Sequence, residues 1–290
     1  MNTTPAVLLT GANGGIGTPA ALRLAEAGRI VYAGMRGTDR HGAFDGVERI
    51  RPLPLDVTDP ASVAEALGRI AAERGEAGLQ AVVNNAGVIV QGPLELVPDA
   101  ELHRQFDVNV FGPVRVIRAA LPLLRAGRGR IVNVGAPTAY VPVPFHAPIA
   151  ASKAALHAMT TALRTELAAW DLPVTAVVPG LVDTPLFKKA AEARRAVAID
   201  PDRAALYREQ LAAVKRAESG QRAAPPDRAA EAIVEAVTAR RVKARYFGGS
   251  DARTMVTLVA KLPAGLRERL IARVLGVRGV KAPTTVAPAS

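Results

Sequence analysis

The chain has 290 residues, 49% of them hydrophobic, and no cysteine. That is enough apolar material for one large core, and it excludes disulfides, thiolate metal sites and a thiol nucleophile. The net charge of +11 sits in the last third: residues 1–187 hold 16 Lys/Arg against 16 Asp/Glu, and residues 188–290 hold 21 against 10. These charges alternate with Ala and Leu at helical spacing and lack an aromatic stacking platform, so they read as a solvated helix surface and not as a nucleic-acid site.

Met1–Pro5 runs directly into an apolar strand without the features of a secretory signal, so the expected location is cytoplasmic. Short runs rich in Val, Ile and Leu follow at 6–9, 30–33, 51–55, 79–83, 130–134, 174–178 and 244–247. Between them, 19–27, 62–74, 99–124, 152–170 and 226–239 carry apolar residues at helical spacing. This alternation predicts an α/β fold: a Rossmann-type doubly wound parallel sheet of about seven strands with helices on both faces, three layers in one domain spanning 1–275.

The segment 186–225 is an Ala/Arg/Glu-rich helical excursion, placed where a substrate lid would sit outside the carboxyl ends of the strands. A second amphipathic stretch, within 250–275, is too short and too charged to span a membrane. It suits packing on the substrate side, on a second subunit or as a peripheral contact at a lipid surface, and residues 276–290 read as a disordered tail. His41, His103, His146 and His157 are scattered with no paired spacing, so no metal site is expected. Met35, Met159 and Met255 read as core or pocket filler.

The first strand ends in Thr10-Gly11-Ala12-Asn13-Gly14-Gly15-Ile16-Gly17, and a helical pattern follows immediately. Glycines there permit a tight turn and let the backbone approach a pyrophosphate, whose charge the helix N-terminus stabilises. Three further segments sit at strand ends: Asp56-Val57, Asn84-Asn85-Ala86-Gly87 and Pro179-Gly180-Leu181-Val182-Asp183-Thr184. In this order, over roughly 5–250, the sequence resembles the short-chain dehydrogenase/reductases. Thr10, Gly11, Asn13, Gly15, Ile16 and Gly17 fit that family's cofactor turn. The resemblance implies that Asp56 and Val57 contact the adenine, that Asn84, Ala86 and Gly87 line the adenosine side, and that Pro179, Gly180, Val182 and Thr184 hold the nicotinamide carboxamide.

At the end of the second strand, NAD-binding members of the family place a carboxylate, whereas this chain has Tyr32-Ala33-Gly34-Met35-Arg36. Arg36 would attract a 2′-phosphate, so the expected cofactor is NADP(H) over NAD(H).

The family's reaction uses a serine, a tyrosine thirteen residues later, and a lysine four residues after that. Lys153 occupies the lysine position and would also hold the nicotinamide ribose, while Asn109 matches the asparagine that kinks a helix and supports a relay water. Counting back from Lys153, however, the tyrosine position is Ile149 and the serine position is Ala136. Neither hydroxyl is present, and a one-residue slip does not supply one.

Three readings follow. In the first, an oxidoreductase acts on a small lipophilic ketone or alcohol with a relocated proton donor, for which Tyr140 and His146 in the loop after the fifth strand are the candidates. In the second, the scaffold runs a non-redox reaction: isomerisation, cyclisation or dehydration. In the third, the chain is an inactive cofactor-binding sensor or partner subunit. The resemblance also implies a homodimer or homotetramer.

Overall fold

The computed structural model describes residues 4–37, 42–186, 201–220 and 223–281. Seven strands form one parallel sheet: β1 Ala6–Thr10, β2 Ile30–Met35, β3 Ile50–Pro54, β4 Ala81–Asn84, β5 Arg130–Val134, β6 Val174–Val178 and β7 Arg245–Phe247. Their order is β3-β2-β1-β4-β5-β6-β7. The chain therefore leaves β1 in one direction for β2 and later crosses to the other side for β4. This reversal opens a crevice beyond the carboxyl ends of β1 and β4, where ligands bind in such sheets.

Burial on both faces explains the unbroken apolar strands. Leu8, Val82 and Ile131 point to a layer that includes Val63, Leu67 and Ile70 of α2 (Pro60–Arg74) and Val116, Ala120 and Leu124 of α4 (Gly112–Ala126). Val7, Leu9, Val83 and Val132 point oppositely, to Ala20, Ala21 and Leu24 of α1 (Gly17–Glu26) and Ile233 and Val237 of α8 (Asp227–Thr238). Each fully buried aliphatic side chain contributes about 1.5–3 kcal/mol. Local signals set the ends: the Asp59 carboxylate accepts from the Ala61 N–H at 2.9 Å, with Pro60 in the first turn of α2.

Two helices differ from the sequence expectation. The single pattern over 99–124 is divided into α3 (Asp99–Phe106), a π-helical turn at Asp107–Phe111 and α4. Gly112 packs so closely on Val57 that an added Cβ would lie 2.8 Å from its side chain, and the extra residue in the π turn carries the helix into that contact. The helix expected from Ser152 begins instead at Ala147 and runs to Glu166 as α5. Pro148 falls in the first turn, where its missing N–H costs nothing. Ile149 is thus helical.

In the excursion after β6, residues 187–200 and 221–222 lie outside the described residues, as does His41. The remainder forms α6 (Pro201–Leu206) and α7 (Arg208–Ser219). The C-terminal segment comprises α9 (Ser250–Thr257) and α10 (Ala264–Val274). Of the expected tail, Gly276–Lys281 are described, with Val277 N–H bonded back to the Ala272 carbonyl at 3.0 Å; residues 282–290 lie outside the described residues. Among the described residues no helix is long and apolar enough to cross a membrane, and no group of three His, Asp or Glu side chains could hold a metal ion.

Candidate active site

Thr10 ties the two loops that flank the crevice. Its hydroxyl accepts from the Asn85 and Ala86 N–H groups at 3.0 Å, while the Asn85 amide donates to the carbonyls of Thr10 and Gly11 at 3.0 Å. Gly11 adopts φ +64°, and an added Cβ would stand 2.8 Å from the Ala86 backbone, so the turn accepts only glycine there. Gly15 faces the loop after β6, where a Cβ would come 2.6 Å from the Thr184 side chain. Ile16 and Gly17 open α1, and Asn13 is exposed on the turn above it. Asn84 is turned into the sheet, donating to the Asn133 carboxamide at 2.8 Å.

From that bond a buried chain continues: Asn133 donates to Thr160 at 2.8 Å, and Thr160 to the Leu156 carbonyl at 2.7 Å. It fastens α5 to β4 and β5 and so fixes Lys153. The Lys153 ammonium is buried and donates to the Val134 carbonyl at 2.7 Å. Asn109, fully buried on the π turn, donates to the Val88 carbonyl at 3.0 Å and accepts from the Val88 N–H at 2.9 Å. Gln105 also donates to the Val88 carbonyl, and both amides donate to the Ser152 hydroxyl. Gln105 and Ser152 thus belong to the constellation, although nothing in their local sequence signals it.

Desolvation pulls the Lys153 pKa from 10.5 to about 8, and Lys153 forms no ion pair among the described residues. Below pH 8 the ammonium is charged in folded and unfolded chains alike, and the burial cost is fully present. Between about 8 and 10.5 the folded chain has released its proton and the unfolded chain has not, so stability rises with pH. Lys153→Met should therefore stabilise the protein at neutral pH by about 2 kcal/mol, the net of about 3 from the lost charge and about 1 for the orphaned Val134 carbonyl. Calorimetry should show this gap to wild type closing as pH approaches 10.5; a variant that melts lower at neutral pH would mean the ammonium has a stabilising partner.

Near Lys153, Ala136 and Ile149 carry no hydroxyl, and Ile149 is itself buried. Tyr140 and His146 diverge. The Tyr140 hydroxyl lies 3.0 Å from His157 Nδ1, and burial raises its pKa. Burial, Arg245 and Arg164 together lower the His157 pKa, and the phenol and imidazole share one hydrogen bond. Arg245 stacks over the Tyr140 ring at 5.4 Å, on the β7 side of the sheet.

His146 caps α5 instead, following Phe145, whose φ of +65° is strained for a bulky residue. The Phe145 carbonyl accepts from the Gly92 N–H at 2.8 Å. His146 Nδ1 lies 3.0 Å from the Pro144 carbonyl, which can only accept, so Nδ1 carries the proton. Nε2 meets the Gln91 amide at 2.8 Å and Glu218 of α7 at 3.7 Å. The excursion is held over this loop by Tyr207, which donates to Glu95 at 2.6 Å and stacks edge-on against Phe145 at 6.4 Å. Gln91, Glu95, Tyr207 and Glu218 come from separate segments and become neighbours only in the fold.

At the far end of the crevice a cavity of about 520 Å³ is lined by Arg36, Thr58, Arg104, Asp107, Val108 and Phe111 among others. Thr58 donates through its N–H and hydroxyl to Asp56 at 2.9 and 2.7 Å, next to Val57. Burial opposes ionisation of Asp56, but those bonds and the nearby Arg36 outweigh it and lower its pKa. Arg36 is exposed and forms no ion pair among the described residues. In the loop after β6, Asp251 of α9 accepts from the Leu181 N–H at 2.7 Å and fixes the segment carrying Pro179, Gly180, Val182 and Thr184. Sequence reading missed this carboxylate, which is distant in the chain.

Residues 5–195 match the family model described as short chain dehydrogenase. A 3-amino-tetrahydro-pyrrolizinone reductase from Xenorhabdus hominickii is 31% identical, over 87% of this chain and 89% of the relative. An 11-beta-hydroxysteroid dehydrogenase type 2 from Oryctolagus cuniculus is 32% identical, over 92% of this chain and 70% of the relative. Among solved structures, a short chain dehydrogenase from Burkholderia cenocepacia in complex with NADP superposes with a TM-score of 0.69 at 27% identity, covering 95% of this chain and 100% of that one.

Proposed function

The chain belongs to the short-chain dehydrogenase family, and from that premise we propose that it is an NADP(H)-dependent oxidoreductase for a lipophilic ketone or alcohol in which His146 replaces the missing tyrosine as proton donor. One observation carries this reading: His146 stands at the N-cap position of α5, three residues before Ile149 and seven before Lys153, and alone of the two relocated candidates it faces the excursion helices, its Nε2 lying 3.7 Å from Glu218.

The glycine turn at Gly11–Gly17, the Pro179–Thr184 loop and Lys153 would hold the dinucleotide, with Asp56 and Val57 beside the adenine and Arg36 on a 2′-phosphate. The fit rests on the open cavity at Arg36 and on an exposed guanidinium beside a carboxylate engaged by Thr58. When bound, the nicotinamide supplies or accepts the hydride. In reduction the imidazole would give its Nε2 proton to the developing alkoxide, and in oxidation Nε2 would take it back, with the Gln91 carboxamide presenting its oxygen to the protonated ring and its amide, 2.8 Å away, to the unprotonated nitrogen. Glu218 faces the same nitrogen at 3.7 Å. Lys153, buried and donating to the Val134 carbonyl, would supply a positive charge to the site, strong in this dry setting. Tyr140, engaged with His157, is a supporting residue in this reading.

Loss of NADPH absorbance with lipophilic ketones tests the proposal; conversion without net nicotinamide change would transfer it to the non-redox reading, which the apolar walls at Ala136 and Ile149 favour. Arg36→Ala should weaken NADPH binding by roughly 10–100-fold, the loss of a charge-assisted bond, and leave NADH within about twofold by calorimetry. Tighter binding of NADH than NADPH to wild type would refute the phosphate assignment. The expected homo-oligomer would use α4 and α5, near which Phe111 and Trp170 are 51% and 54% exposed, and gel filtration reads it directly.

A further inference from the structure

We infer that α10 and the turn before it form a peripheral docking surface for an anionic lipid bilayer. α10 contains no buried residue. Leu266, Leu270 and Val274, four residues apart, are 53%, 39% and 59% exposed, and Leu258 in the turn after α9 is 65% exposed. Arg269 and Arg273 share the outward face with that stripe, whereas Arg267 is turned inward to the Ala260 carbonyl at 3.2 Å. Beneath the helix, Leu275 is buried, and the adjoining Gly276 lies against Ala213 of α7. The inner face, with Arg267, Ile271 and Ala272, is thus half-buried, and the outer face is exposed.

Charge identifies the occupant. Between residues 252 and 281 there are seven Lys/Arg and one Glu. Apolar side chains flanked by arginines suit the interface of an anionic bilayer, where the leucines enter the acyl boundary and the guanidinium groups stay among the phosphates. A second copy of the chain fits poorly: it would bring Arg269 and Arg273 against like charges, and a handful of side chains falls far short of the roughly 800 Å² per partner of a stable interface. α9 buries Ala252 and Val256 and holds the nicotinamide loop through Asp251. A bilayer under α10 would therefore lie beside the excursion helices, where a lipophilic substrate could enter without crossing water. The inference does not depend on the reaction assigned above.

The test is flotation of the full-length protein with vesicles of phosphatidylcholine alone and of phosphatidylcholine mixed with phosphatidylglycerol. Binding is expected to the anionic vesicles only, and to weaken as salt rises. Leu266→Glu with Leu270→Glu should lower partitioning at least about thirtyfold, and Arg269→Gln with Arg273→Gln roughly tenfold or more. All four positions are exposed, so both variants should melt as wild type does, and circular dichroism verifies that they fold. Equal binding to neutral vesicles, no binding to anionic ones, or partitioning unchanged in both variants would overturn the inference. So would self-association of wild type that the leucine variant abolishes, measured by sedimentation velocity, because the face would then be a protein interface.

Discussion

His146→Asn is expected to lower kcat for ketone reduction by roughly 10²–10⁴-fold, the usual contribution of a positioned general acid, with NADPH affinity unchanged within about twofold. Loss of a merely structural contact at the α5 N-terminus would lower stability, not kcat, so the deciding readout is chemical rescue. Added imidazole should restore part of the rate to the variant and do nothing for wild type. Tyr140→Phe supplies the contrast. It removes a hydroxyl that serves His157, which should cost about 1 kcal/mol of stability and change kcat by less than about threefold. If Tyr140→Phe is the dead variant and His146→Asn is active, the proton route runs through the other residue.

Much of the fold was legible because its physics is local. Strands buried on both faces show as unbroken Val/Ile/Leu runs, and the helix expected over 62–74 needs only a two-residue extension, to Pro60 behind the Asp59 cap. Proline both stops helices and opens them, and only the burial of Ile149 and Leu156 in the fold decides between these roles at Pro148. The π turn at Asp107–Phe111 was not legible as such. Its cause, the approach of Gly112 to Val57, joins residues 55 positions apart.

The site divides in the same way. The glycine positions are set by backbone requirements that the sequence displays, and Lys153 by its place in the family pattern. Its surroundings are not displayed: the Val134 carbonyl receives the Lys153 ammonium, and Gln105 and Asn109 reach the adjoining Ser152 hydroxyl from another segment. Tyr140 and His146 looked equivalent, six residues apart in one proline-rich loop. The left-handed backbone at Phe145, pinned by Gly92, turns His146 onto the excursion side while Tyr140 packs beside β7. No local pattern encodes that divergence.

The absent hydroxyls themselves provide the strongest check on the site. Ala136→Ser with Ile149→Tyr, introduced into the His146→Asn background, should raise reductase activity by roughly 100-fold or more over that background. The phenol would stand one helical turn from Lys153, whose ammonium lowers the phenol pKa and favours proton exchange at neutral pH. For this, Lys153 must turn part of its bonding from the Val134 carbonyl toward the new hydroxyl. Ile149 is 6% exposed, so the larger ring should cost about 1–3 kcal/mol of stability where it overpacks, and less where it points into the crevice. Ile149→Phe with Ala136→Ser separates the two effects, since it carries the same bulk without the hydroxyl and should gain no activity. Should the tyrosine variant fold, bind NADPH and still gain nothing while wild type reduces the same ketone, residues 136 and 149 would not face the reacting carbon. The assignment of His146 would then fall with them, because it is placed by its position three residues before Ile149 at the start of α5.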